Sequence, residues 1–330
     1  MILTADWHLT DLSQDEYRWN VFAELEAFLD VTGPQDVFIL GDICDKKDRH
    51  SATLVNRIVN SLTKLSPKVL STKIIMGNHD APLKGDPFWY VLNSTWDLRL
   101  AFYDFPMRYN NVLLFPFTPD PIDAWNNCLD QAKDAKAIFM HQPVDGAQSE
   151  GGFVIENKPM PIFPRGIKIY SGDIHAPQKI GRVQYVGAPH HIKFGDVYPC
   201  RMIQLDDNFD IKHEWFCSPQ GKRLINITSL DELKSIKVLE GDQLKVRMSI
   251  ELSAMKNRAG IEQYLYDWAK QHKADLTSVE LLLPAQLSIT AALGETGTNE
   301  EVLALFAKAE GCGDKSLAYA LSMLRQCNAN

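Results

Sequence analysis

The sequence predicts a layered α/β domain followed by a smaller α/β unit, and three observations carry that expectation. Short apolar runs recur through the first two thirds of the chain, of the length expected for buried strands. Helical patterns separate the first three runs, giving strand–helix–strand–helix–strand, the order of an α/β layered domain. Small clusters of Asp, Asn and His follow these runs, as expected where ligands bind at the carboxyl ends of strands.

Residues 1–5, Met-Ile-Leu-Thr-Ala, read as a buried strand that delivers Asp6 and His8. Their i, i+2 spacing puts both side chains on one side of an extended segment. Ser13 and Glu16 make a capping box, and Val21, Phe22, Leu25, Phe28 and Leu29 form the stripe of a helix that Gly33-Pro34 ends. Residues 37–40 are a second strand, followed by Gly41-Asp42-Ile43-Cys44-Asp45. A helix from about Ser51, with Leu54, Ile58, Val59, Leu62 and Leu65 inward, leads to a third strand ending at Met76. Gly77-Asn78-His79-Asp80 then lies on a loop. Asn78 offers a neutral amide oxygen, histidine at 79 exchanges a proton near neutral pH, and Asp80 is placed to hold the His79 ring.

Residues 88–92 read as a helix in which Trp89 has a core role rather than a base-stacking one. Residues 112–117 are a strand, 121–133 a helix, and 137–140 a strand ending at His141. After a Gly- and Pro-rich loop, 146–166, the strand 167–171 ends in Gly172-Asp173-Ile174-His175. Residues 183–186 and 201–205 look like paired strands, and Asp207-Asn208 turns the chain into 210–216. The first domain is therefore expected over 1–217. Beyond it, Leu244, Val246, Met248 and Ile250 alternate with Lys245, Arg247 and Ser249, a half-buried strand. A helix carrying Ile261, Leu265 and Trp268 and a strand over 278–283 complete a β-α-β unit within 218–284. Residues 285–330 read as a polar linker and two short amphipathic helices, 299–310 and 314–326.

A length of 330 residues suggests two or three domains with at least one sizeable core. The net charge of −8 argues against an indiscriminate basic coat for nucleic acid, though not against a local cationic site. No apolar stretch approaches the ~20 residues of a membrane span, and Asp6 and His8 interrupt the first apolar run too early for a signal peptide. The cysteines lack paired spacing, so reduced thiols in a cytoplasmic protein are expected, with Cys44 a buried filler.

Collected together, Asp6 and His8, Asp42, Asn78 and His79, His141, and Asp173 and His175 are about the donor set that two divalent ions need, with one carboxylate shared. The order of motifs, Asp-x-His, Gly-Asp-x-x-Asp, Gly-Asn-His-Asp, a lone His and Gly-Asp-x-His, resembles that of the calcineurin-like metallophosphoesterase superfamily across residues 1–217. The resemblance implies an α/β/β/α sandwich with a small α/β capping domain and a C-terminal helical hairpin. It also implies that Asp6, His8, Asp42 and His175 hold one metal, and that Asp42 bridges to a second completed by Asn78, His141 and Asp173. His79 would be the catalytic histidine supported by Asp80, with Asp45 fixing the loop geometry. Where the family has Gly-His-x-His this chain has Asp173. Three carboxylates then bring about −3 of ligand charge to about +4 of metal, which favours Mn2+, or Mg2+, over Zn2+.

Within that superfamily the local sequence looks most like the nuclease subunits of the SbcCD type, including phage-encoded relatives. The features are Pro87-Phe88-Trp89 after the asparagine motif, Tyr185-Val186-Gly187-Ala188-Pro189, and Phe194-Gly195-Asp196. Lys46-Lys47 also follows the second motif, where phosphatases usually have Arg-Gly. This likeness implies a DNA exonuclease, and an endonuclease, acting in repair or recombination. It implies a coiled-coil ATPase partner of the SbcC type gripped by the C-terminal helices, whose alternative is a hairpin docked on the capping domain, together with a homodimer and a bacterial or phage-infected cytoplasm. Lys46, Lys47 and Arg49, with Lys168, Lys179, Arg182 and Lys193, are the candidate DNA contacts. His190 and His191 would face opposite sides of a strand. The alternatives are a phosphatase or cyclic-nucleotide phosphodiesterase on the same fold, and a DNA-end-binding scaffold of weak activity.

Overall fold

Two six-stranded sheets stack face to face. In the first, β1 (Ile2–Thr4), β2 (Asp36–Leu40), β3 (Ser71–Ile75) and β4 (Leu100–Tyr103) run parallel. On the other flank of β1, β11 (Arg201–Leu205) and then β12 (Ile211–Phe216) add antiparallel, giving the order β12-β11-β1-β2-β3-β4. The second sheet contains β5 (Met107–Tyr109), β6 (Val112–Phe115), β7 (Ala137–His141), β8 (Lys168–Gly172), β10 (Val183–Tyr185) and β9 (Lys179–Ile180), in that order. β6, β7, β8 and β10 are parallel, with antiparallel edges. The structure is a computed structural model and describes residues 1–82, 87–94, 99–126, 128, 134–149, 151–217, 221–282, 300, 303–304, 307 and 317–322.

Strand periodicity sorts the side chains into layers. Val37 and Ile39 of β2 face the helices, whereas Phe38 and Leu40 face the other sheet. In β7, Ala137 and Phe139 meet them from the second sheet, and Ile138 and Met140 turn to the outer core with Phe115, Trp125 and Phe163. Helices α1 (Asn20–Thr32) and α2 (Ala52–Leu65) cover the first sheet, and α3 (Pro121–Asn126) places Trp125 against the second. The α/β/β/α sandwich is therefore present, and every strand that ends in a site residue is buried from its second residue onward or throughout.

Several local expectations need correction. Ser13 and Glu16 form no capping box: Ser13–Trp19 is a 3-10 helix, and the Glu16 carboxylate instead takes both guanidinium nitrogens of Arg57 on α2. A bidentate charged pair outcompetes a single backbone donor. Residues 183–186 and 201–205 do not pair: β10 extends the second sheet while β11 crosses to the first. Strands β4 and β5 were not expected, because the Phe105-Pro106 turn leaves each too short to show a period. Of the helix expected over 121–133, α3 is observed; residues 127 and 129–133 lie outside the described residues.

The chain divides into two units, Met1–Lys222 and Arg223–Asn330. In the second, β14 (Gln243–Ser249) and β15 (Asp275–Leu282) are parallel and α4 (Arg258–Gln271) joins them, with β13 (Lys222–Ile227) on the other side of β14. Leu244, Val246 and Met248 pack on Ile261, Leu265 and Trp268, as the alternation predicts. A capping box does form here, between Ser229 and Glu232. Most of the expected linker and C-terminal helices lies outside the described residues.

Candidate active site

The carboxyl ends of β1, β2, β3, β7 and β8 bring their polar clusters together at one edge of the two sheets. They can approach closely because two glycines carry no side chain. A Cβ on Gly77 would overlap the Asp42 carboxylate and backbone nitrogen, and one on Gly172 would overlap the Leu40 carbonyl. Asp6, His8, Asp42 and Asp173 all have positive φ, at 57°, 44°, 57° and 82°. Left-handed backbone at non-glycine residues costs about 1–3 kcal/mol each and persists where the surroundings over-determine it. Asp6 and His8 thus meet through a turn, not through the extended segment that their spacing suggests.

Asp42 Oδ2 lies at the middle, 3.5 Å from His8 Nε2 and 3.6 Å from His141 Nε2. His8 Nε2 faces His175 Nε2 at 3.2 Å. On the other side, Asp173 Oδ1 is 3.6 Å from His141 Nε2 and accepts a hydrogen bond from Asn78 Nδ2 at 3.0 Å. The Asp173 backbone donates to Asp6 Oδ1 at 3.0 Å. His141 Nδ1 lies 2.6 Å from the Leu40 carbonyl oxygen, so it carries the hydrogen and leaves the Nε2 lone pair facing inward. Ligand atoms of Asp6, His8 and His175, of His8, Asp42 and His79, and of Asp6, Asp42 and His141 each fall within 4.8 Å of one another.

The residues fit divalent cations on their own chemistry. Asp6 Oδ2, Asn78 Oδ1 and His141 Nε2 are buried and carry no hydrogen bond, a costly state for polar atoms. Burial pushes the Asp6 and Asp42 carboxyls well up, and neighbouring Asp173 adds to both shifts. Burial drives His8 the other way, and His175 and His79 repel any charge on it. A set of buried oxygen and imidazole donors that resists its own charging is stabilised by positive ions.

Asp80 does not support His79. Its buried carboxylate accepts the backbone N–H groups of Asp42 at 2.7 Å, Ile43 at 3.0 Å and Gly77 at 2.8 Å, because the donors of two loop starts converge beneath it. His79 is held instead by Asp45: Nδ1 lies 2.5 Å from the Asp45 carbonyl oxygen, and its own N–H donates to Asp42 Oδ1 at 2.8 Å. The Asp45 carboxylate, held low by His8 first and Arg18 next, lies 3.6 Å from His8 Nδ1. Buried Arg18 was not anticipated. It donates to the His8 carbonyl at 2.5 Å, to Asp45 Oδ1 at 3.3 Å and to the Ile192 carbonyl at 3.3 Å, tying three loops together. It stands in a 3-10 turn away from any strand end, so no local pattern marks it.

Among the candidate DNA contacts, exposed Lys46 and Arg49 line a cavity of about 510 Å³ that reaches Asp45, and half-buried Lys47 acts on Asp42. Lys168, Lys179 and Arg182 line a different cavity, at the end of β8 away from Asp173, where Lys168 pairs with Asp210 and Arg182 donates to the Phe163 and Pro164 carbonyls. Lys193 is exposed on the loop that Asp196 caps. His190 and His191 lie on a loop, not a strand: His190 is buried against the Trp7 carbonyl at 2.7 Å, and His191 faces the Tyr198 carbonyl at 3.0 Å. Trp89 is fully buried in the first core, as expected.

One family model, described as calcineurin-like phosphoesterase, matches residues 1–177. No curated protein matches the sequence. Two solved structures are similar at low identity. Yfce, a phosphoesterase from E. coli, is 14% identical with a TM-score of 0.32, over 66% of this chain and 100% of its own. The Pseudomonas putida nuclease MPE is 15% identical with a TM-score of 0.29, over 55% of this chain and 64% of its own. Among the described residues no helix is long and apolar enough to cross a membrane.

Proposed function

The chain belongs to the calcineurin-like phosphoesterases, and from that premise we propose that it is a DNA nuclease using two divalent ions, Mn2+ or Mg2+. The observation that carries the two-ion reading is Asp42 Oδ2, set between His8 and His141 at nearly equal distances. Asp6, His8, Asp42 and His175 would hold one ion; Asp42, Asn78, His141 and Asp173 the other. When bound, such a pair polarises the phosphate and lowers the pKa of an attacking water.

The chain's own groups do the rest. His79 donates its Nδ1 hydrogen to the Asp45 carbonyl, so Nε2 is the atom left to deliver a proton to the departing oxygen when the ring enters the step as the imidazolium. Asp45 orients His79 through its carbonyl, and its carboxylate faces His8 Nδ1 at 3.6 Å. Asp80 fixes the starts of the Asp42 and Gly77 loops, which keeps Asp42 and Asn78 in register.

A polymer substrate is supported by two cavities that meet the cluster at different residues, one of about 420 Å³ at Asn78 and one of about 510 Å³ at Asp45. A phosphomonoester needs neither. Lys46 and Arg49 in the second cavity are placed for backbone phosphates. The β-α-β unit after residue 222 and the SbcCD-like motifs support the further reading of a homodimer working with a coiled-coil ATPase through residues 285–330. The test is incubation with Mn2+ and linear duplex, single-stranded DNA or a phosphomonoester, with and without His79→Ala. Nucleotide release from DNA that the variant abolishes is the expected result; hydrolysis of the monoester alone would replace the nuclease with a phosphatase.

A further inference from the structure

The cavity at Asn78 is built differently from the rest of the centre. Beyond Asn78 it is walled by Asp104, Phe105, Pro106, Phe117 and Trp125, from loops after β4 and β6 and from α3. Phe105 is 57% exposed, an unusual position for a large aromatic group on a concave wall. Phe117 sets its ring edge-on to His141 at 6.3 Å, which joins this wall to the proposed ligands. Asp104 Oδ1 is buried and has no hydrogen-bond partner.

We propose that this cavity binds the nucleobase next to the scissile phosphate and selects bases with an exocyclic amine. The proposal rests on the nuclease reading above and adds a specificity to it. At about 420 Å³ the cavity falls in the usual small-ligand range of roughly 300–1,000 Å³. Phe105 and the prolines offer flat apolar faces for stacking, which every base can use. Asp104 supplies the discrimination. Half-buried Asp104 stands on the cavity wall, and a carboxylate there accepts the amine of cytosine or adenine, as acidic side chains accept from cytosine N4. Thymine presents two carbonyl oxygens flanking its single N–H, and these meet the carboxylate with like charge. A phosphate would be repelled there for the same reason.

The test is equilibrium titration of the Mn2+-loaded, full-length protein with methylphosphonate-linked dinucleotides, d(CpC) against d(TpT), which cannot be hydrolysed as phosphodiesters. The expected result is about tenfold tighter binding of d(CpC), a ratio that falls to near one in Asp104→Asn. Phe105→Ala should weaken both ligands by about tenfold through lost stacking. Equal binding of the two dinucleotides by the wild-type protein would overturn the proposal, whatever the variants do. So would an unchanged ratio in a folded Asp104→Asn. Hydrolysis of bis(p-nitrophenyl) phosphate by the wild type separates the two claims. Its absence strikes the hydrolytic reading of the centre, whereas hydrolysis with equal dinucleotide binding strikes only the base pocket.

Discussion

His79 Nδ1 lies 2.5 Å from the carbonyl oxygen of Asp45, and the residue that follows it in sequence, Asp80, bonds elsewhere. The proposed catalytic ring is therefore held by backbone, which no side-chain substitution at 80 can imitate. His79→Ala should keep the fold and both ions yet lose about 10²–10⁴-fold in phosphodiester hydrolysis. Metal analysis beside steady-state rates checks this; loss of an ion in the variant would make His79 a ligand instead.

Asp80→Asn is expected to act on stability. Its carboxylate serves three buried N–H groups, and an amide replaces part of that acceptor with a donor. At least one backbone N–H is then left unsatisfied, a loss of about 1–3 kcal/mol. Urea denaturation of the metal-free protein should show that shift, and a change under 1 kcal/mol would contradict it.

Gly77→Ala should weaken metal binding without touching a donor atom. The added methyl group overlaps Asp42, the carboxylate proposed to be shared, and can be relieved only by moving it. We expect at least about tenfold lower Mn2+ affinity, since supporting groups around metal ligands commonly matter by 10–100-fold. Wild-type affinity by calorimetry would show that the loop relaxes freely.

Asp173→Ala isolates the second proposed ion. Asp173 Oδ1 stands between His141 and Asn78, so its loss should reduce occupancy from two ions to one per chain while the His8 side stays filled. Two ions retained by Asp173→Ala would remove Asp173 from the ligand set. Chelation of the wild type should lower its melting temperature, because ions that bind only the folded state stabilise it.

His190 gives a pH dependence outside the ligand set. Burial first, and the positive charge of Arg18 next, bring its pKa down to about 3, against about 6.5 in an unfolded chain. As pH falls below 6.5 the unfolded state takes up a proton that the folded state refuses. The contribution to stability is therefore complete above pH 6.5 and is lost progressively toward pH 3, by about 2 kcal/mol at pH 5. In chelator, His190→Gln, whose amide can still donate to the Trp7 carbonyl, should show a flatter fall in urea midpoint from pH 7 to 5. Parallel slopes would contradict the assignment.

Much of the site was legible in the sequence because each proposed ligand follows a short buried strand. Residues 37–40 declare β2 as an unbroken apolar run of strand length, and Gly41-Asp42 follows directly. The strands β4 and β5 escaped because a two-residue turn leaves no period to read. The partners of 183–186 and 201–205 escaped because sheet membership is set by what each strand packs on, not by the strand itself.

By itself, then, the order of residues determined the layered α/β class, the strand ends and the set of oxygen and imidazole donors, since all three follow from local pattern and residue type, while the sandwich architecture is what the family resemblance implied. Only the tertiary structure decided who supports whom. Arg18 binds the carbonyls of His8 and Ile192, Asp80 serves backbone rather than His79, and Lys179 and Arg182 gather at the wrong end of β8 for the proposed centre. The Arg18 and Asp80 bonds join groups far apart in the chain, and hydrogen-bond partners of that kind are chosen by packing, which leaves no trace in spacing.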